Sequence, residues 1–208
     1  SVLRNAGSIT NSGFEFHVFR SAIRNPTLTW DAQLSFATNR NKLVEMGEDR
    51  PFIPVGYRNS QRHQAGFPLA GHWAAAVLYD NDGSLLLDDA GRPVLGDSMT
   101  YVGPSTPTRE AALSNTFTIF GDLQLYVFMD YKGGHYLFNM SEQTSINDGN
   151  HRLANDPNVS EEEWLVLRYG GNRRYIERAD FVKLREISLS YRLPNEWAGR
   201  LGADELSL

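Results

Sequence analysis

Carboxylates crowd one short stretch, Asp80-Asn81-Asp82-Gly83-Ser84 with Asp88 and Asp89 close behind. Oxygen-rich loops of this kind suit calcium, a hard cation that takes several carboxylates around a glycine turn. The spacing is incomplete, because the apolar run Leu85-Leu86-Leu87 follows and no glutamate stands at the bidentate end. A turn between two loop strands accounts for Asp82-Gly83 more simply. Calcium at Asp80, Asp82 and Asp88 is therefore the lesser expectation, and no cofactor is expected. The histidines, His17, His63, His72, His135 and His151, show no metal-ligand spacing, and there is no cysteine to complete a zinc site. Asp31, Asp80, Asp88 and Glu110 supply carboxylates for glycoside hydrolysis only if two of them meet in space. No Gly-x-Ser-x-Gly elbow and no phosphate-cradling glycine loop before a lysine occurs, and Lys132-Gly133-Gly134 reads as the start of a loop. No catalytic residue is expected. For ligand contact the candidates are His72, Trp73, Tyr79, Tyr136 and Trp164, since aromatic faces stack on sugar rings and peptides alike; for each of them loop packing is the competing role.

These side chains must be carried by strands. Leu28, Trp30, Ala32, Leu34 and Phe36 alternate with Thr29, Asp31, Gln33 and Ser35, so residues 28–39 form a strand with one apolar and one polar face. Before it, Phe14, Phe16 and Val18 alternate with Glu15 and His17 over residues 13–23, and Arg24-Asn25-Pro26-Thr27 joins the two as a short hairpin. A second hairpin sets Leu113, Phe117 and Ile119 against Ser114, Thr116 and Thr118. After Gly121-Asp122 it continues with Leu123, Leu125, Val127, Met129 and Tyr131 on one side, although Tyr126 and Phe128 share the other with Gln124 and Asp130. Ile187, Leu189 and Tyr191 form a further strand that Pro194 ends. Ser160 ahead of Glu161-Glu162-Glu163 makes a capping box for a short loop helix, with acids where the helix dipole favours them.

The chain has 208 residues, 41% hydrophobic and 22% charged, with a net charge of -5, enough apolar material for a core or for one side of a large sheet. So mild an acidic balance argues against a nucleic-acid surface, which needs clustered Lys and Arg. No apolar run reaches the roughly 18 residues of a membrane helix, but a β-barrel needs strands of only about 9–11 residues. The opening Ser1-Val2-Leu3-Arg4-Asn5 and the closing Glu205-Leu206-Ser207-Leu208, which reads as an interrupted strand, point to an excerpt of a longer protein.

Connections separate a barrel from a soluble sheet. Short turns near Asn25, Gly121 and Pro194 alternate with long stretches, residues 42–109 and 132–179. Outer-membrane barrels pair short periplasmic turns with long extracellular loops in this way, whereas compact soluble domains rarely carry connections so long. With the residue 28 strand running outward, both long stretches fall on one side, provided any further barrel strands inside them come in pairs. Trp30 and Tyr191, near strand ends, suit interfacial girdles.

Four stretches then carry a family resemblance: Asn5-Ala6-Gly7-Ser8-Ile9-Thr10-Asn11-Ser12-Gly13-Phe14-Glu15; residues 28–41 with Trp30; Tyr101-Val102-Gly103-Pro104-Ser105-Thr106-Pro107-Thr108-Arg109-Glu110 with the hairpin ending Asp130-Tyr131-Lys132-Gly133-Gly134; and Tyr175-Ile176-Glu177-Arg178-Ala179-Asp180-Phe181-Val182-Lys183-Leu184-Arg185-Glu186-Ile187-Ser188-Leu189-Ser190-Tyr191-Arg192-Leu193-Pro194. In order and spacing they resemble the C-terminal half of SusC/RagA-type TonB-dependent receptors over nearly the whole chain, the last stretch being the most specific. The resemblance implies an all-β fold, with residues 1–208 an antiparallel transmembrane segment of a barrel of about 22 strands with a plug inside and long extracellular loops. It further implies import of oligosaccharide or peptide across the outer membrane of a diderm bacterium. Energy would come from TonB-ExbB-ExbD through the full-length protein, and a SusD-like lipoprotein would act as lid. Signal sequence, TonB box, plug and final strands are not among these residues. The rival reading is a soluble or surface-attached β-sandwich that binds carbohydrate, with a glycoside hydrolase third. In a sandwich Leu28, Trp30, Leu34, Phe36, Leu123, Leu125 and Val127 would be sealed between two sheets; in a barrel wall they would face outward.

Overall fold

A computed structural model describes residues 7–47, 50–200, 202 and 206–208, with the side chains of residues 58, 155 and 198 left aside. The readings made above on Ser1 to Ala6 and on Glu205 lie outside the described residues. In chain order the strands are β1 Ser8–Arg24, β2 Leu28–Glu45, β3 Ile53–Val55, β4 Gln61–His63, β5 Gly71–Val77, β6 Leu95–Gly103, β7 Arg109–Ile119, β8 Leu123–Gly133, β9 Tyr136–Phe138, β10 Ile176–Arg178 and β11 Phe181–Tyr191. The helices are α1 Met140–Asn147, α2 Glu161–Tyr169 and α3 Asn195–Arg200. No helix among them is long and apolar enough to cross a membrane, which says nothing about strands.

The chain divides into two units. The first to consider is a sheet unit, Gly13–Asn39, Thr108–Gly133 and Asp180–Leu208, whose strands lie in the order β1-β2-β7-β8-β11. Its established pairings, β2 with β7, β7 with β8 and β8 with β11, are all antiparallel. The hairpins expected from period two are therefore present, in longer form. Asn25 builds the first turn by accepting from the amides of Thr27 and Leu28 (3.0 and 2.9 Å), the local bonding that makes Asn a turn residue. In the second turn positive φ falls on Phe120 (52°) and Gly121 (83°), so the left-handed pair is Phe-Gly, displaced by one residue from the expected Gly-Asp. Phe120 pays a steric cost that glycine avoids, and its ring is 73% exposed. Residues 40–107 and 134–179 both leave and rejoin the strands at the end opposite these turns, as the parity of the sequence requires.

Those two stretches, with Ser1–Ser12, form the second unit. They are not plain loops. The first carries a four-stranded sheet in the order β3-β4-β5-β6, and the second carries the β9-β10 pair with α1 and α2. In the second stretch Ile146, Leu167 and Tyr175 make a small core covered by Phe138, Leu153 and Trp164. The Tyr175 hydroxyl donates to the Leu167 carbonyl, so its polar end is satisfied on burial. Helix α2 begins as the capping box predicts, with Ser160 Oγ accepting from the Glu163 amide at 3.1 Å.

Candidate functional site

Cross-strand pairing sorts the side chains of the sheet unit into two faces. One face carries five rows, each read from β2 through β7 and β8 to β11: Leu28-Ile119-Leu123-Tyr191, Trp30-Phe117-Leu125-Leu189, Ala32-Asn115-Val127-Ile187, Leu34-Leu113-Met129-Leu184 and Phe36-Ala111-Tyr131-Val182. Nineteen of those twenty positions are apolar or aromatic. The exception is dealt with locally: Asn115 Oδ1 accepts from Trp30 Nε1 at 3.1 Å, and the Trp30 indole stacks on Phe117 at 5.7 Å and 17°. The rows stay aligned through β11 only because of a bulge between Leu184 and Glu186, which moves Arg185 out of register. Phe16 of β1 meets Phe36 at 5.6 Å and so continues this face.

The other face is mostly polar. It presents Thr29, Asp31, Gln33 and Ser35, then Glu110, Ser114, Thr116 and Thr118, then Gln124, Asp130 and Lys132, then Lys183, Glu186, Ser188 and Ser190. Ion pairs tie it together: Lys132 to Glu110 at 3.2 Å, and Arg185 to both carboxylate oxygens of Asp130 at 2.8 Å each. Ser21 of β1 donates to Asp31, which places it on this side. A groove of about 520 Å³ crosses the strands here, lined among others by Glu15, His17, Glu110, Asp130 and Lys132. Asp31 and Glu110, two of the four carboxylates considered for glycoside hydrolysis, stand opposite Thr116 and Ala37 and are six residues apart along the paired strands, roughly 20 Å. That is too far for a glycosidase dyad, whose carboxyls lie within about 10 Å.

Among the described residues nothing seals the apolar face. None of its twenty side chains is buried, and Ile187, Leu189 and Val182 are 62%, 65% and 68% exposed. A sandwich would have closed over these residues.

In the loop unit the five candidate contact residues part company. His72 and Trp73 sit on β5 at 2% and 5% exposure and serve its interior. His72 Nε2 lies 3.0 Å from the Tyr136 carbonyl, which can only accept, so Nε2 carries the hydrogen; burial pushes the imidazole pKa down. Gly103, opposite His72, leaves room for the Tyr136 ring, which a Cβ there would strike. The structure thus brings His72 and Tyr136 together. Trp73 instead packs edge-on to Phe67 (4.7 Å) and Tyr101 (5.5 Å), while the Arg62 guanidinium lies over the Trp73 ring at 5.5 Å. Burial raises the Tyr101 hydroxyl to about 12. Tyr79 is 49% exposed beside the Tyr79-Leu85 bridge, and Trp164 covers the Ile146 core. Phe52, Arg62, Phe67 and Tyr101 escaped the sequence reading because only strand pairing gathers them.

The acidic stretch is a pair of tight turns. Asp82 Oδ1 accepts from the Ser84 amide (2.9 Å) and hydroxyl (2.6 Å), and these bonds lower its pKa. Asp88 accepts from the amides of Ala90 and Arg92 and pairs with the Arg92 guanidinium at 3.0 Å. Among the described residues no group of three or more His, Asp or Glu is placed to hold a metal ion.

No protein-family model matches the chain. The TonB-dependent receptor SusC of Bacteroides thetaiotaomicron is 22% identical over 223 aligned residues, taking in 93% of this chain and 21% of SusC. TonB-dependent receptor P3 of Formosa agariphila is 22% identical over 248, taking in 100% of this chain and 24% of that protein. Among solved structures, the RagAB peptide importer in its closed-closed state superposes with a TM-score of 0.73 at 17% identity, over 99% of this chain and 26% of that one. A second structure, of the RagAB peptide transporter, gives 0.68 at 19%, over 93% and 24%. The chain is similar to SusC/RagA-type TonB-dependent receptors and spans about a quarter of their length.

Proposed function

We propose that this chain is a stretch of wall and outer loops from an energy-coupled nutrient importer of the outer membrane. The observation that carries the reading is the five-row apolar face, open along its whole height and backed by a polar face. Five rows are four steps of two residues, about 27 Å along a strand. At the roughly 40° tilt of barrel strands this gives about 20 Å of height, close to the roughly 25 Å apolar band of an outer-membrane barrel. Lipid covers such a face without a second sheet, and the polar face then borders the lumen. Strands β1 and β11, at the edges of the sheet, would be completed by neighbouring strands of the full-length barrel, which removes edges that otherwise aggregate.

The cargo is an oligosaccharide or a peptide, the partners are a SusD-like lipoprotein lid and the TonB-ExbB-ExbD system acting through the full-length protein, and the site of action is the outer membrane of a diderm bacterium. The likeness to SusC and to the RagAB importer supports this assignment. A direct test is deletion of the full-length gene, followed by uptake of labelled oligopeptides and oligosaccharides with and without a protonophore. Loss of protonophore-sensitive uptake of one class supports the reading; unchanged uptake of both, with the protein absent from the outer-membrane fraction of the parent strain, overturns it.

A further inference from the structure

Two arginines of this chain hold acids closely: Arg185 takes both oxygens of Asp130, and the exposed Arg92 takes Asp88. Arg62, on β4, does not. Among the described residues no carboxylate lies within ion-pair distance of it. Its guanidinium carbon sits 4.0 Å from the centre of the Phe52 ring and 5.5 Å from that of Trp73. Pairing explains the clamp. Arg62 stands opposite Pro54 on one side and Gly71 on the other, and Gly71 leaves room for the Tyr101 ring, which a Cβ there would strike. Two buried donors there have no acceptor, Arg62 Nε and the indole Nε1 of Trp73, itself 5% exposed. Arg62 is half-buried, gains no counter-charge among the described residues, and has its pKa lowered by what burial there is. A leucine or methionine would fill the same gap between rings at no such cost. The arrangement is that of a fork fixed in advance for an anion: the rings immobilise the guanidinium plane and leave its terminal Nη edge free, the edge that grips a carboxylate with two parallel hydrogen bonds.

We propose that Arg62, clamped between Phe52 and Trp73, is a carboxylate-binding site of the loop unit that takes an anionic group of the imported cargo. The assignment rests on the importer reading above. The carboxylate has two sources, a peptide C-terminus or a uronic acid, and the chemistry at Arg62 is the same for both.

The test uses the full-length receptor in detergent and two pairs of probes: N-acetyl-tetraalanine with a free C-terminal carboxylate against its amide, and trigalacturonate against its methyl ester. Affinities come from calorimetry at low and at high salt. In one pair the charged member should bind about ten-fold or more tightly than its neutral partner, as expected for a charge-assisted hydrogen-bond pair, and that pair names the source. Arg62→Gln should bring the two members within about two-fold, with Arg62→Lys intermediate because a point charge lacks the fork. Phe52→Leu, which keeps the charge and loosens the clamp, should cut the ratio several-fold and serves should Arg62→Gln fail to fold. Equal binding of charged and neutral members in both pairs, or a ratio that survives in Arg62→Gln, overturns the site. Absence of uptake by a receptor that still discriminates by charge at Arg62 would count against the importer reading and leave the site standing.

Discussion

Replacing single residues of the apolar face by arginine should produce a cost that depends on height in the sheet. Ile187 lies in the middle row with Ala32, Asn115 and Val127, Leu189 one row nearer the short turns, and Tyr191 at that rim. Adjacent rows are about 6.8 Å apart along a strand, about 5 Å in height at a 40° tilt. Ile187→Arg therefore puts a charge near the middle of the hydrocarbon, for about 2–4 kcal/mol, and Tyr191→Arg puts it near the headgroups, for about 0–1 kcal/mol. Were the same face bathed in water, Ile187 at 62% exposure would accept arginine within about 0.5 kcal/mol. The assay is denaturant titration of the full-length receptor in lipid vesicles, with Val182→Arg and Leu184→Arg completing the profile on the other side of the middle row. A cost that peaks at Ile187 and falls toward both rims bears the reasoning out. A flat profile, or a cost at Ser188→Arg on the polar face as large as at Ile187→Arg, refutes it.

Trp30→Phe keeps the stack on Phe117 but strands the Asn115 carbonyl oxygen, and should destabilise the receptor by about 1 kcal/mol, an effect that Asn115→Leu in the same chain should abolish; a denaturant double-mutant cycle measures both. Ser160→Ala removes the α2 cap and should cost about 1 kcal/mol locally, seen as faster hydrogen exchange at Glu163 and Trp164 with no change in the β strands. Glu142 has its pKa raised, first by burial and then by Glu177, which shares the Asn139 amide with it (3.3 and 3.1 Å). A raised carboxyl pKa means that the folded state holds the proton more tightly, so α1 should lose stability as pH rises from the ordinary carboxylate value through the raised one. Hydrogen exchange across α1 against pH should show that loss in the wild type and its absence in Glu142→Gln.

How far the fold could be read in advance follows from where period two survives. On β2 it runs unbroken from Leu28 to Phe36, and on β8 Leu123 to Tyr131 keep one apolar side although Tyr126 and Phe128 stand on the other, so the hairpins were legible. On β11 the bulge at Arg185 switches the apolar parity from Val182 and Leu184 to Ile187, Leu189 and Tyr191, so only the last five residues announced themselves as a strand. The loop unit hid its sheet more completely: β5 reads Gly-His-Trp-Ala-Ala-Ala-Val, a buried run with no alternation, and β3 and β4 have three residues each. Candidate contact residues picked for being aromatic were sorted only by three-dimensional packing. His72 and Trp73 turned inward because β6 lies beside β5 and supplies Gly103 and Tyr101, while Arg62 gave no signal, since its lack of an acid partner is visible only once the chain is folded.

This chain holds no cysteine, so once any cysteine elsewhere in the full-length receptor is replaced the central claim can be read one residue at a time. Single cysteines placed along β8 from Leu123 to Tyr131 in the full-length receptor, labelled with an environment-sensitive fluorophore in vesicles containing brominated lipid, should be quenched at 123, 125, 127, 129 and 131. They should react with a charged aqueous thiol reagent at 124, 126, 128 and 130 instead. Quenching at both parities, or at the even positions alone, would contradict a wall whose apolar side faces lipid.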